Sequence, residues 1–238
     1  MAITRVFFSS CLLQTGEVLR LSEEDSHHVY KVLRGRIGDE IEAVDGAGRL
    51  FVTELLRGSE AKVLEERPVE GDKGTVTLYQ AVPKGRHMDV VVEKATELGV
   101  GRIVPLSTER GVTRLEKGEG KVRRWRRVAE AAARQSLRLR VPEIGEVISF
   151  LEGAREAGEI GVLLHNGPQL PPLEDRVSSA TVGFFVGPEG GWSESELAVA
   201  EESGLSLASL GPFRLRSETA GIVAVARACA VLERTMER

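Results

Sequence analysis

Two charged side chains, Arg216 and Glu218, lie two residues apart in the segment LGPFRLRSETA, at the start of a predicted helix. A carboxylate in such a position could accept a proton as a general base, and a guanidinium could stabilise the anion that remains. A simpler interpretation is that Glu218 complements the N-terminal dipole of the helix and that Arg216 pairs with it. These two residues alone leave both interpretations open.

Three segments marked by glycine and polar residues each follow an apolar run. They are LLHNG at 163–167, VGPEGG at 186–191 and LGPFRLRSETA at 210–220. Glycines in the second segment allow close approach of the backbone to a ligand, and Ser193 with Glu196 predicts a helix capping box just beyond it. Trp192 and Leu197 have the spacing of a hydrophobic staple. GPEGG by itself matches neither GxGxxG nor a P-loop, so an ordinary turn would also explain it.

Strand and helix patterns alternate from about residue 71 onward. Runs such as VTLYQAV, EIGVLLH and TVGFFVG predict strands, and helices are predicted near 86–98, 120–137, 147–157, 194–203 and 218–234. This order predicts an α/β domain with a largely parallel sheet, whose ligands lie beyond the carboxyl ends of the strands. The last helix is apolar nearly all round, which predicts burial on more than one side, in the core or at a dimer interface.

The first seventy residues are predicted to form a small β-rich unit. Ser22 followed by Asp25 predicts the cap of a short helix through about Leu33, and alternating strand patterns follow on both sides of the turn DGAG. The polar segment RPVEGDKG at 67–74 contains proline and glycine and is typical of a domain boundary. We therefore predict a barrel-like domain over residues 1–70 and an α/β domain over 71–238.

Positive charge is concentrated in one part of an acidic chain. The formal net charge is −4, yet residues 121–140 contain eight basic side chains and one acidic side chain, a local net charge of +7. Such segregation favours a surface that contacts phosphate groups, although an arginine-rich solvated helix would have the same composition. The sequence therefore predicts RNA contact along this segment.

Several classes of protein are disfavoured by composition. Cys11 and Cys229 are far apart without a CxxC pattern, which argues against a disulfide framework or a thiolate zinc site and favours two small buried residues. His27 and His28 are adjacent and would not share a helix face, so no metal is expected. No apolar run approaches a membrane span and no secretory signal is evident, so we expect a cytoplasmic protein.

The combination of FVGPEGGWSESE and LGPFRLRSETA resembles the paired signature of the RsmE-type branch of the SPOUT methyltransferases. Further similarity covers HHVYKVLRGRIGDEI at 27–41, KGRHMDVVVEKATELGVGRIVPL at 84–106 and RWRRVAEAAARQSLRLRVPEI at 124–144. The resemblance implies an N-terminal PUA-like β-barrel, a C-terminal α/β domain with a trefoil knot, and a homodimer. The sequence departs from the family at residues 134–137, where RQSL stands in place of the usual Glu-Gln pair followed by glycine.

The resemblance also implies an activity and a set of site residues. The activity is methyl transfer from S-adenosylmethionine to N3 of a uridine in 16S rRNA, with free rRNA or the 30S subunit as substrate. The implied cofactor pocket comprises Leu164, His165, Gly187, Gly191, Leu210, Leu215 and Arg216. Because that reaction must remove the N3 proton and stabilise the resulting anion, we expect Arg216 and Glu218 to be the catalytic pair, with Glu189 as a second candidate for the base. The basic segment predicts RNA contacts at Arg123, Arg126 and Arg127, and further contacts are expected at Arg34, Lys84 and Arg86.

Two other functions are compatible with the same residues. A protein without catalytic activity could bind RNA or assist ribosome assembly through the β-rich domain and the basic segment. An enzyme could instead bind a different nucleotide in the same crevice. The intact LGPFRLRSETA loop argues against a degenerate site, and His165 could also be an ordinary surface residue at the end of a strand.

Overall fold

The computed structural model describes residues 5–7, 13–69, 75–111, 118–167, 169–177 and 181–236. The chain divides into two compact units, which are Met1–Gly71 with Ala133–Val141, and Asp72–Ala132 with Pro142–Arg238. The predicted boundary near residue 70 placed residues 133–141 in the second domain, whereas here they belong to the first unit. An isolated bridge between Ala47 and Arg140 holds this segment, and Ala133 packs against Val44 and Leu50.

The first unit contains a five-stranded sheet in the order β1-β3-β4-β5-β2. Its strands are β1 (Arg5–Phe7), β2 (Val18–Arg20), β3 (Glu40–Val44), β4 (Leu50–Leu56) and β5 (Glu60–Arg67). Strand β1 pairs with β3 in parallel, and the other pairings are antiparallel. Alternating side chains such as Ile41, Leu55 and Val63 fill one apolar core.

The predicted helix from Ser22 to Leu33 has two parts. Helix α1 spans Glu23–His27 and is capped by Ser22, whose Oγ accepts the Asp25 N–H at 3.0 Å. A π-helical turn follows over His28–Val32. Arg34, at the end of this segment, has a φ of 57° and an exposed side chain.

The turn between β3 and β4 is organised by Asp45. Its carboxylate accepts the N–H groups of Ala47 and Arg49, at 2.9 and 3.1 Å, and pairs with the Arg49 guanidinium at 2.7 Å. Burial opposes ionisation of Asp45, but these hydrogen bonds outweigh it and lower the pKa of the carboxyl. The DGAG segment therefore forms a tight connection, as the sequence predicts.

The second unit contains a seven-stranded sheet in which every pairing among the described strands is parallel. The order is β12-β10-β11-β6-β7-β8, and β9 also pairs with β7. The strands are β6 (Thr75–Ala81), β7 (Arg102–Ser107), β8 (Glu143–Ile144), β9 (Ile148–Ser149), β10 (Gly161–Leu164), β11 (Thr181–Val186) and β12 (Ser206–Ala208). The predicted α/β domain with a largely parallel sheet is confirmed.

Five helices connect these strands close to the predicted positions. They are α2 (His87–Glu97), α3 (Gly118–Gln135), α4 (Phe150–Ala157), α5 (Glu194–Glu202) and α6 (Ser217–Met236). Helix α4 begins later than predicted, because residues 148–149 pair with β7 and Ser149 forms a capping box with Glu152. Stacked rings of Tyr79 and Phe185, with centroids 4.3 Å apart, lie in the core between the sheet and α4.

The fully buried side chains of helix α6 lie on one stripe along the helix. Ala224, Val225 and Ala228 are fully buried, and Leu232, one turn further along the same face, is 8% exposed. Ile222 and Val223, which lie off this stripe, are half-buried. Helix α6 packs against α2 and against the strands β6 and β11, and its positions off the buried stripe between 221 and 232 are half-buried in the single chain. No helix within the described ranges is long and apolar enough to cross a membrane.

Candidate active site

A cavity of about 340 Å³ lies beyond the carboxyl ends of β10 and β11. This is the edge at which parallel α/β sheets place their ligands. Its wall contains residues from each of the three glycine-marked segments and from the segment after β7. The lining residues are Arg110, Leu164, His165, Asn166, Val186, Gly187, Pro188, Glu189, Gly190, Gly191, Trp192, Leu210, Arg214, Leu215, Ser217 and Ala220.

The cavity brings together six of the seven residues predicted to hold a cofactor. These six are Leu164, His165, Gly187, Gly191, Leu210 and Leu215. Arg216 is exposed and does not line the cavity. The sequence prediction did not include Arg110, which follows the predicted strand RIVPL. Because β7 pairs in parallel with β6, the loop after β7 leaves the same edge of the sheet as the other site loops, and this could have indicated Arg110. The prediction also missed Arg214 and Ser217, which lie within the marked loop itself.

Trp192 connects the first two loops of the cavity. Its indole Nε1 donates a hydrogen bond to the Leu164 carbonyl at 3.0 Å, and the ring is 5% exposed. A Cβ added at Gly187 would lie 3.1 Å from this ring, so a larger residue there would force the indole to shift. Gly191 has a different requirement, since its φ of 71° is in the left-handed region that favours glycine.

The predicted capping box at the start of α5 is confirmed in both directions. The Ser193 hydroxyl accepts the Glu196 N–H at 3.1 Å, and Glu196 accepts the Ser193 N–H at 2.9 Å. Glu196 also accepts the N–H of Glu109 at 2.9 Å, and the Glu109 carboxylate accepts from Ser195. Hydrogen bonds from Ser195 and Ser193 lower the pKa of Glu109.

These contacts place Arg110 at the cavity. Glu109 is bound to the start of α5, and the next residue directs its guanidinium to the glycine-rich loop. There Arg110 Nη1 donates to the Gly190 carbonyl at 3.2 Å. The loop after β7 therefore contributes a cation to the cavity wall.

The third loop is held at both of its ends. Arg227 on α6 donates to the Leu210 carbonyl at 2.8 Å and forms a two-bonded ion pair with Glu174. This hydrogen-bonded pairing with Arg227 lowers the pKa of Glu174. Near the other end, Arg214 donates to the Glu189 carbonyl at 2.9 Å.

A buried hydrogen-bond chain joins β6 to the cavity. Gln80 is fully buried, and its Nε2 donates to the Ser217 hydroxyl at 2.9 Å. Ser217 in turn donates to the Gly187 carbonyl at 2.6 Å. The central strand thus positions both the glycine-rich loop and the first residue of α6.

Glu218 is paired with a residue that sequence reasoning did not select. Its carboxylate lies 3.4 Å from His87 Nδ1, and the Glu218 side chain is 14% exposed. The guanidinium of Arg216 is exposed and has no side-chain partner among the described residues. The structure therefore does not contain the ion pair between Arg216 and Glu218 that the simpler interpretation predicted. Glu189 is exposed and accepts the Lys84 N–H at 3.3 Å.

All of the predicted RNA contacts are exposed at the surface of their own unit. They are Arg34 in the first unit and Lys84, Arg86, Arg123, Arg126 and Arg127 in the second. Arg126 is already engaged, because it pairs with Glu146 at 2.7 Å and donates to the Ile144 carbonyl. In the basic segment Arg134 contacts Asp25 at 3.3 Å, which favours a structural role for Arg134 within the first unit.

The described residues do not meet the requirements of a metal site, and they include one cysteine. No group of three His, Cys, Asp or Glu residues there could hold a metal ion. Cys229 is half-buried on α6, and Cys11 lies outside the described residues. The cavity wall combines glycines and apolar side chains with the polar or charged side chains of Arg110, Arg214, His165, Asn166, Glu189 and Ser217.

Comparison with known proteins identifies two matching families. Residues 70–229 match the RNA methyltransferase domain, and residues 21–64 match the RNA methyltransferase PUA domain. The chain is 33% identical to Ribosomal RNA small subunit methyltransferase E of Mycobacterium bovis over 94% of this chain and 90% of that protein. The protein of that name from Synechocystis is also 33% identical, over 90% of this chain and 73% of its own length.

Solved structures agree with this grouping. Ribosomal RNA small subunit methyltransferase E of Neisseria gonorrhoeae, bound to S-adenosylmethionine, is 30% identical and superposes with a TM-score of 0.81, covering 94% of this chain and 96% of that one. A protein of Legionella pneumophila, described as a methyltransferase in complex with the cofactor, gives the same TM-score and identity over 99% and 98%. The resemblance inferred from the paired signature is confirmed. The chain therefore belongs to the family of the RNA methyltransferase domain, joined here to an RNA methyltransferase PUA domain.

Proposed function

We propose that the chain transfers a methyl group from S-adenosylmethionine to N3 of a uridine in the 16S rRNA of the small ribosomal subunit. The observation that carries the proposal is the cavity, which is lined by residues of all three loops of the sequence signature. Relatives named for methylation of small-subunit rRNA, and a related structure with the cofactor bound, support the same use of this chain.

The lining of the cavity fits the chemical groups of the cofactor. Leu164, Leu210 and Leu215 offer apolar surface for adenine, and the Arg110 guanidinium offers a cation to a carboxylate. A volume of about 340 Å³ is within the range of small-molecule sites. When bound there, S-adenosylmethionine supplies a methyl group activated by a sulfonium sulfur.

Glu218 is the proposed acceptor of the N3 proton. Its carboxylate is shielded, with 14% exposure, and His87 Nδ1 lies 3.4 Å from it. The neighbouring residue Ser217 lines the cavity, and on its other side Arg216 has an exposed guanidinium. Arg216 is thus available to a uracil carbonyl, where it would stabilise the anion that proton removal creates.

RNA binding is proposed to use exposed basic residues of both units. Arg123 and Arg127 lie four residues apart on α3, so their guanidinium groups face the same side of the helix and can contact successive phosphates. Lys84 and Arg86 are exposed in the connection before α2, and Arg34 is exposed in the first unit. Arg126 is a weaker candidate because Glu146 already neutralises it.

Finer features of the family are proposed as well. The meeting of three separate chain segments at one cavity is compatible with a trefoil knot, and the five-stranded sheet of the first unit is compatible with a PUA-like barrel. The half-buried apolar side of α6, with Ile222 and Val223, supports a homodimer. An enzyme acting on ribosomal RNA would work in the cytoplasm.

Two measurements test the proposed activity. Mass-spectrometric mapping of 16S rRNA from a strain that lacks this chain should show one N3-methyluridine missing, and the purified chain should restore it on the isolated 30S subunit or on free rRNA. Binding of radiolabelled S-adenosylmethionine should be competed by S-adenosylhomocysteine and not by ATP or NAD. Unchanged uridines in the deletion strain, with no cofactor binding, would favour an RNA-binding or assembly protein instead.

A further inference from the structure

Phe213 is the most exposed large apolar side chain in the described part of the protein. Its exposure is 79%, and the next values are 57% for Val32 and Ile37. One exposed apolar residue is ordinary in a folded protein, so exposure alone has no functional meaning. The position of Phe213 is what distinguishes it, because it lies between Leu210 and Arg214, two residues of the cavity wall.

The backbone on both sides of Phe213 is held by hydrogen bonds. The Ser209 hydroxyl accepts the Gly211 N–H at 3.1 Å, and Arg227 donates to the Leu210 carbonyl at 2.8 Å. Beyond Phe213, Arg214 donates to the Glu189 carbonyl at 2.9 Å. Pro212 also restricts the backbone immediately before the ring. The aromatic ring is therefore presented to solvent by an anchored loop.

The charge around the ring favours an anionic partner. Three arginines, Arg110, Arg214 and Arg216, lie in or beside the cavity wall, against two acidic residues, Glu189 in the wall and Glu218, whose side chain is 14% exposed. The guanidinium of Arg216 is exposed, and Arg110 lines the same cavity from the loop after β7. An exposed aromatic ring beside cations is the arrangement with which proteins bind single-stranded nucleic acid, since bases stack on the ring and phosphates pair with the cations.

We propose that Phe213 stacks on a base of the RNA substrate at the mouth of the cavity and so helps to position the target uridine. The inference rests on the proposed function for the identity of the RNA, although stacking itself can be measured without methyl transfer. Because the ring does not line the cavity, it should contribute nothing to cofactor affinity. It acts on RNA binding alone.

Four substitutions separate stacking from other uses of an exposed ring. Phe213→Tyr keeps a flat aromatic ring, Phe213→Leu keeps apolar area without one, and Phe213→Ala removes both. Leu151→Ala is the matched control, since Leu151 is an exposed apolar residue, 39% accessible, on α4. The probes are a fluorescein-labelled oligouridylate and 30S subunits from the deletion strain.

Stacking predicts that Phe213→Ala and Phe213→Leu both weaken oligouridylate binding by about 5- to 150-fold, the range that corresponds to one stacked base. The Tyr variant and the Leu151→Ala control should bind as the parent does. With 30S subunits the two weakened variants should show a raised KM, and calorimetry should give the parental affinity for S-adenosylmethionine. Parental RNA binding by Phe213→Leu would overturn stacking, because apolar area would then suffice.

A direct optical test uses Phe213→Trp. Trp125 and Trp192 are both buried, at 4% and 5% exposure, so a new exposed tryptophan provides a separate signal. Oligouridylate should quench this signal, and the absence of quenching at saturating RNA would overturn the proposal. Light scattering of Phe213→Ala should show the parental mass, whereas dissociation into smaller particles would assign the ring to a contact between copies of the chain.

These outcomes are distinguishable from failure of the proposed function. Quenching by oligouridylate, with no methylation of 16S rRNA by the parent, would reject the methyl-transfer assignment and retain stacking. Methylation by the parent, with Phe213→Ala equal to it in KM and RNA affinity, would reject stacking and retain the assignment.

Discussion

The Ser217 hydroxyl links the central strand of the second unit to the cavity wall, and its removal should affect both stability and ligand binding. It donates to the Gly187 carbonyl at 2.6 Å and accepts from Gln80 Nε2 at 2.9 Å, while Gln80 Oε1 has no described partner. Ser217→Ala leaves the carbonyl without this donor and leaves the amide with only the Ala81 carbonyl, at 3.1 Å. A buried polar group left unpaired costs about 1–3 kcal/mol, and because the Gln80 amide keeps one acceptor we expect a loss within that range, about 1–3 kcal/mol.

Urea denaturation gives the free energy of unfolding, and calorimetry gives the affinity for S-adenosylmethionine. We expect both to fall in Ser217→Ala, because the loop that contains Gly187 loses its anchor. Ser217→Thr keeps the hydroxyl and should remain much closer to the parent. In a double-mutant cycle, Gln80→Met should cost less in the Ser217→Ala background than in the parent, since both partners are then absent. If Ser217→Ala had the parental stability and cofactor affinity, the hydrogen-bond chain would have no energetic role.

Three further predictions concern the proposed base, the basic helix and the ion pair behind the third loop. Glu218→Gln should keep cofactor and RNA affinity but lower single-turnover methylation by roughly 10²–10⁴, with partial recovery at higher pH, and parental turnover at neutral pH would leave Glu218 without a proton-transfer role. Replacing Arg123 and Arg127 together by glutamine should weaken RNA binding and flatten its salt dependence, because fewer counterions are released; equal binding at every ionic strength would make them ordinary surface residues. The lowered pKa of Glu174 means that its pairing with Arg227 stabilises the fold above about pH 4.5, the ordinary carboxyl value, and that this contribution disappears as the pH falls through the lowered pKa. Arg227→Gln should therefore unfold with a flatter pH dependence in acid than the parent, a difference below about 1 kcal/mol because the pair is partly exposed.

Local sequence was sufficient for most of the secondary structure of the second unit. The capping box at Ser193 and Glu196 places the start of α5 at Glu194, because the cap is formed by residues three apart in the chain. The glycine-marked loops were predicted to share a site for a simple topological reason, since consecutive parallel strands end at one edge of a sheet. Sequence also identified the family, through two motifs that are more specific together than apart.

Contacts between distant residues were not visible in the sequence. His87 meets Glu218 across more than a hundred residues, and neither has a local feature that predicts the other. The small residue at Gly187 leaves room for the indole of Trp192. The two residues are close in the chain, but their contact depends on the conformation of the loop between them. The assignment of residues 133–141 to the first unit likewise depends on a bridge to Ala47, far earlier in the chain.

The α/β class, the parallel sheet, the three loops and the family could all be predicted before the structure, because periodicity, caps and motifs are properties of neighbouring residues. The folded chain was needed to show which side chains of those loops reach the cavity. It placed Arg110 and Ser217 in the wall and left Arg216 exposed. Residues one position apart in a loop point in different directions, and the direction of each is set by its packing and hydrogen bonds with distant parts of the chain.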